Sequence, residues 1–89
     1  MVFCAILMGC ANLPIQEMSD ARQAISAARE AGAATHAKFA LSAAERLLDS
    51  AEAFLASGDY QRSREDAIAA RKGAVAARVL SLEQQESSE

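Results

Sequence analysis

The sequence predicts an all-α fold, as a short antiparallel three-helix bundle or, alternatively, an extended helical hairpin. Hydrophobic residues make up 52% of the 89 residues. Alanine, the residue with the highest helix propensity, is the commonest of them. One proline and four glycines punctuate the chain, and the apolar residues between them recur at spacings of three and four, the period of an amphipathic helix.

The first helix is predicted at about 14–31. The segment Asn12-Leu13-Pro14 marks its start, because proline is favoured in the first helical turn, and Gly32 interrupts the chain after it. Its apolar residues form a seam of the heptad type, made of Met18, Ala21, Ile25 and Ala28.

The second helix is predicted at about 35–56, starting at Thr35 or His36. It carries the widest apolar stripe of the chain, broad enough to pack against two neighbouring helices. The stripe consists of Ala37, Ala40, Leu41, Ala44, Leu47, Leu48, Ala51, Phe54 and Leu55.

The third helix is predicted at about 60–82. Gly58 is placed to end the preceding helix and Asp59 to cap the new one. One face is made of small residues, with larger aliphatic residues beside it, and the polar tail 83–89 is expected to fray. The small face consists of Ser63, Ala67, Ala70, Ala74 and Ala77, and its aliphatic neighbours are Ile68, Val75, Val79 and Leu82.

The short joint at Gly58, Asp59 and Tyr60 makes the second and third helices antiparallel. This joint resembles the helix-turn-helix of tetratricopeptide repeats. We expect the first helix of the same chain to lie along their shared groove. In the alternative hairpin it extends away or swaps between chains. Large apolar side chains are few, so the domain is expected to be only marginally stable.

Composition argues against several functional classes. The net charge of −3 and the pI near 5.1 argue against a nucleic-acid partner, which usually requires a basic face. The two cysteines, Cys4 and Cys10, both lie in the apolar N-terminal stretch. No cysteine-histidine cluster supports a metal site, and the predicted helices must fold without disulfides.

The opening segment 1–9 is apolar and about as long as the hydrophobic part of a signal peptide. Its end, Leu7-Met8-Gly9-Cys10, resembles a bacterial lipobox. That resemblance implies that Cys10 receives diacylglycerol and becomes the lipidated N-terminus. Asp, the usual signal for inner-membrane retention in enteric bacteria, does not follow Cys10, which favours the outer membrane.

No Lys or Arg precedes the apolar run, although a secretory signal normally begins with positive charge. One explanation is that the true start lies upstream. The alternative is a short hydrophobic N-terminus of a cytosolic protein, with Cys10 as a buried thiol.

Two further stretches are informative, namely 32–51 and Gly58-Asp59-Tyr60 with the alanines that follow. Together they resemble domain-of-unknown-function family 4398, small alanine-rich helical domains of bacterial envelope lipoproteins. The resemblance covers about residues 10–82 and implies an envelope location but no established activity. The chain departs from the family where the second helix opens, because His36 and Lys38 replace a Tyr and a Pro.

The sequence contains no motif of catalysis, phosphate binding or metal binding. His36 lacks a partner nucleophile or carboxylate in the sequence, and Tyr60 is expected to fill the joint between two helices. Glu45 and Asp49 lie one turn apart and could share a cation, but a solvated helix face is the simpler interpretation.

These observations predict a lipid-anchored helical domain on the periplasmic face of the outer membrane, with a structural or protein-interaction role. We expect no catalysis, cofactor or metal, and as partners the membrane together with envelope proteins or a homo-oligomer. One alternative is a soluble periplasmic or cytoplasmic adaptor that captures a partner helix in a groove. The other is a ligand-binding or enzyme-modulating protein that uses His36 and Tyr60.

Overall fold

A computed structural model describes residues 13–87 of the chain, and this part contains four α-helices and no strand. The predicted all-α class is therefore confirmed. The longest helix is central, because the first and third helices both pack extensively on it and touch each other much less. The helices are α1 (Ile15–Glu30), α2 (Ala33–His36), α3 (Lys38–Ala56) and α4 (Tyr60–Ser87).

The buried face of α4 is a single stripe of small residues. Its members alternate at spacings of four and three, so they lie in one line along the helix. Small side chains allow neighbouring backbones to approach closely: a Cβ added to Gly73 would lie 3.6 Å from the Cβ of Ala44 on α3. The stripe consists of Ser63, Ala67, Ala70, Ala74, Ala77 and Ser81.

Two helices present matching seams to this stripe. The predicted seam of α1 is buried along its whole length. On α3 the buried residues are Leu41, Ala44 and Ala51. The described residues thus bury ten alanines and only four larger apolar side chains, which are Pro14, Met18, Ile25 and Leu41.

Contacts along the helices define their relative directions. On α1 and α3, Arg22 pairs with Glu52 and Arg29 with Glu45, so these two helices run antiparallel. Helix α4 is antiparallel to α3 and therefore runs parallel to α1. This arrangement is a three-helix bundle with α1 packed on α4, rather than a hairpin from which the first helix extends away.

The predicted second helix is interrupted in the structure. A short helix, α2, ends at His36, and Ala37 adopts φ −146° and ψ 47° before α3 begins. Ala33 and Ala37 both lie in the same core cluster. The bend at Ala37 thus keeps the methyl groups of both alanines in the core. The continuous helix predicted from Thr35 did not include Ala33.

The wide stripe predicted for the second helix is buried only in part. Ala37, Leu41, Ala44 and Ala51 are in the core, whereas Ala40 and four larger side chains keep part of their surface exposed. The reason is the alanine-lined stripe of α4, which fits a narrow seam and leaves large side chains at the edge of the interface. The four larger side chains are those of Leu47, Leu48, Phe54 and Leu55.

The third helix continues five residues beyond its predicted end, through Ser87. Residues 83–87, where we expected a frayed tail, are helical in the structure. The amide of Gln85 donates hydrogen bonds to the backbone oxygen of Ala31 and to Ser81 Oγ. This polar side chain therefore fastens the last turns of α4 to the end of α1.

The small stripe predicts that two alanines of α4 differ strongly in how much stability is lost when each is replaced by leucine. Ala74 is fully buried, whereas Ala76 is exposed on the same helix. Replacing Ala74 by Leu should lower the free energy of unfolding by about 1–3 kcal/mol, because the added side chain forces α3 or α1 away. The control Ala76→Leu should change it by less than about 0.5 kcal/mol. Urea denaturation followed by circular dichroism measures both, and equal losses would contradict the close approach at Ala74.

Replacement by alanine should change the free energy of unfolding in opposite directions at two glycines. Gly73 lies in a helix with room for a methyl group, so Gly73→Ala should raise the free energy of unfolding by about 0.5–1 kcal/mol. Gly58 has φ +85°, which is unfavourable for alanine, and Gly58→Ala should lower it by about 1 kcal/mol. The same denaturation experiment measures both variants, and a loss of stability in Gly73→Ala would show that α3 and α4 approach more closely than described.

Candidate functional site

The joint between α3 and α4 is closed by backbone hydrogen bonds around a left-handed glycine. The N–H of Gly58 donates to the carbonyl of Leu55 at 3.1 Å, and the N–H of Asp59 donates to that of Phe54 at 2.9 Å. These two bonds form a Schellman motif, which satisfies the last carbonyls of a helix. Asp59 then caps α4, because its Oδ1 accepts a hydrogen bond from the N–H of Arg62 at 3.2 Å.

Tyr60 does not fill this joint, contrary to expectation. It belongs to neither core cluster and keeps 38% of its surface exposed. The Gly58 backbone and the Asp59 side chain are sufficient to close the turn, so the ring is left on the surface of α4. There it lines a shallow depression with Gln61 and Ile68.

His36 lies at the opposite end of the bundle. It is exposed at the end of α2 and shares a surface depression with Phe39 and Leu80. Leu80 and Tyr60 are twenty residues apart on α4, which corresponds to about 30 Å along the helix. His36 and Tyr60 therefore lie at opposite ends of the bundle.

The same end of the bundle carries the most exposed large apolar side chain of the described residues. Phe39 keeps 87% of its surface exposed, at the start of α3. Leu80 nearby is 40% exposed. The sequence analysis did not single out Phe39, although its position outside the apolar stripe of this helix is consistent with an exposed side chain.

The groove between α1 and α3 is crossed by two ion pairs. Arg22 Nη2 lies 3.0 Å from Glu52 Oε2, and the guanidinium of Arg29 donates to Glu45. All four side chains are at least one-third exposed. Exposed pairs of this kind contribute about 0–1 kcal/mol each, so they fix the register of α1 and α3 more than they stabilise the fold.

This groove has a volume of about 500 Å³ and is open to solvent. Ile25 and Leu48 line it together with Asp49. Glu45 already accepts hydrogen bonds from Arg29, so the predicted pair of Glu45 and Asp49 is not a free dicarboxylate. Residues 13–87 hold no group of three or more metal-ligating side chains, and a helix entering this groove would have to displace both ion pairs.

Two serines at the ends of the small stripe make hydrogen bonds between helices that the sequence analysis did not predict. Ser63 Oγ donates to the backbone oxygen of Ala51 on α3 at 2.7 Å. Ser81 Oγ donates to the backbone oxygen of Ala31, at the end of α1, also at 2.7 Å. A hydroxyl is small enough for the stripe and bonds a carbonyl of the adjacent chain segment, so each serine links α4 to a neighbour. Their heptad positions were the only signal in the sequence.

The outer surface of α4 exposes a second line of aliphatic residues. Its members keep 39–46% of their surface exposed and recur at spacings of seven, four and three. The sequence placed them beside the small face but did not indicate whether another helix covers them. The structure leaves them open along α4, and they are Ile68, Val75, Val79 and Leu82.

The proposed lipidation site, Cys10, lies outside the described residues. Within residues 13–87, no helix combines the length and the apolar character needed to cross a bilayer.

Comparison of the chain with models of protein families, with curated proteins and with solved structures finds no match. The functional interpretation therefore depends on the residues of this chain and on the resemblances stated above.

Proposed function

We propose that the protein is a lipid-anchored helical domain of the bacterial envelope, with a structural or protein-interaction role and without catalysis. The observation that carries this proposal is the sequence Leu7-Met8-Gly9-Cys10, followed almost at once by a packed helical bundle. The resemblance of residues 10–82 to domain-of-unknown-function family 4398 supports the same role. The periplasmic face of the outer membrane is the proposed location.

The short spacing between the anchor and the bundle has a geometric consequence. Ile15, the first residue of α1, follows Cys10 by five positions, so the two Cα atoms are at most about 18 Å apart. The N-terminal end of α1 and the Gly58 joint would therefore stay close to the membrane. Phe39 and His36 would lie about 24 Å further along α1, at the outer end.

The polar contacts of the bundle support a structural role. Ser63 and Ser81 use their hydroxyls to link helices, and Ser50 Oγ donates to Asp66 Oδ2 at 2.6 Å between α3 and α4. Arg64 Nε lies 3.4 Å from Glu17 Oε2, and this ion pair links α4 to α1. These groups hold the bundle together, and the exposed apolar residues on its outside are the features available for a partner.

Lipidation is tested by replacing each of the two cysteines. We expect the wild type and Cys4→Ser to incorporate a fatty-acid analogue in cells that express the native gene with any upstream start. Cys10→Ser should lose the label and leave the membrane fraction, because it lacks the thiol that carries the lipid. Labelling and density-gradient fractionation measure both effects.

Cys4→Ser is the matched control, since Cys4 lies in the segment that processing removes. A wild type without acyl label, together with unchanged membrane association of Cys10→Ser, would contradict the anchor. Label on the wild type with fractionation at the inner membrane would contradict only the proposed location.

A further inference from the structure

The outer face of α4 has the spacing of a coiled-coil seam but is covered by no other helix of the described residues. Ile68, Val75, Val79 and Leu82 lie at heptad core positions, at steps of seven, four and three, and Lys72 lies at the core position between the first two. At about 100° per residue, they lie roughly 130° around α4 from its buried stripe. Each is 39–46% exposed. Helix α4 therefore has one seam that α1 and α3 cover and a second, exposed seam, which we call the open seam.

The charged side chains that α4 itself places along the open seam are positive, and Asp20 of α1 lines the depression shared by Arg71 and Val75. Between 67 and 82, α4 has no Asp or Glu, whereas it has Arg71, Lys72 and Arg78. Arg71 and Arg78 are one heptad apart and border the same side of the seam. The ion pairs of the described residues involve neither of them. This cationic surface belongs to a chain whose net charge is −3.

We propose that the outer face of α4 binds an acidic amphipathic helix of a partner protein, in the manner of a coiled coil. The aliphatic seam would receive the apolar residues of that helix, and Arg71 and Arg78 would pair with its flanking carboxylates. On the other side of the seam, Ala69 and Ala76 leave room for close approach. This proposal rests on the protein-interaction role proposed above and specifies the partner.

The shape of the seam favours a helix over a lipid surface. Its four side chains span only about 60° of the helix circumference, which suits one partner helix. A helix that lies in a membrane interface typically has a broader apolar face with aromatic residues. A second copy of the same surface fits poorly, because it offers no acidic residue between 67 and 82 and brings arginines together.

The test uses the full chain carrying Cys10→Ser and two synthetic helical peptides of about four heptads. Both peptides have Leu at the core positions, with Glu on the flanks of one and Lys on the flanks of the other. Repulsion between like charges keeps each peptide from pairing with itself. We expect the chain to bind the Glu peptide, with an affinity that falls as salt increases.

The variants separate charge from apolar contact. Arg71→Glu combined with Arg78→Glu should weaken binding of the Glu peptide by about tenfold or more and create binding of the Lys peptide. Val75→Glu combined with Val79→Glu should abolish binding of the Glu peptide. Arg46→Glu, at an exposed position of α3, is the control and should have no effect. Circular dichroism establishes that each variant keeps its helix content.

Several results would overturn the proposal. Equal binding of both peptides, or binding that survives Val75→Glu with Val79→Glu, would show that the seam is not the site. A dimer in sedimentation that Val79→Glu dissociates would identify a second copy as the occupant. Binding to phosphatidylglycerol vesicles that depends on Arg71 and Arg78, without peptide binding, would identify a lipid surface. None of these results depends on acyl labelling of Cys10. The proposal of a lipid anchor and the proposal of a helical partner can therefore be contradicted independently of each other.

Discussion

The small-residue stripe of α4 is the constraint on which the rest of the fold depends. From Ser63 to Ser81 no buried residue of this helix is larger than serine or alanine. Two helices can therefore approach the same narrow line, α3 so closely that Gly73 lies against Ala44. A serine at each end adds a hydrogen bond to a neighbouring backbone carbonyl. Residues 13–87 bury few large apolar side chains. Close packing of the helices, together with the hydrogen bonds of the two serines, stabilises the bundle instead.

The same constraint determines what is left at the surface. Because the alanine stripe fits narrow seams, the larger side chains of α3 stay at the edge of the interface, where Leu48 lines the groove beside α1. The exposed ion pairs over that groove add little stability. The outer face of α4 and the end that carries Phe39 then remain as apolar surfaces. A domain of this kind suits the presentation of helix surfaces near a membrane, which is the role we propose.

The sequence was sufficient to predict features that depend on local chemistry. The heptad seam of α1, the small stripe of α4 and the glycine near its start are all visible in residue type and spacing. Features that depend on tertiary contacts were not visible. The bend at Ala37 depends on packing against α4, and the extension of α4 to Ser87 depends on Gln85 reaching a carbonyl of α1. The outward position of Phe39 agrees with the predicted stripe, which leaves Phe39 out, but the stripe alone did not indicate that this side chain stays almost fully exposed.

The most direct test of the central claim is whether one chain supplies all of the packed helices. Sedimentation and thermal melting of the domain from Asn12 onward, over a range of concentrations, measure this. We expect a monomer with a cooperative melt whose midpoint does not change with concentration, because α1 of the same chain covers the stripe of α4. A dimer whose melting temperature rises with concentration would contradict it, since stability would then depend on a second chain.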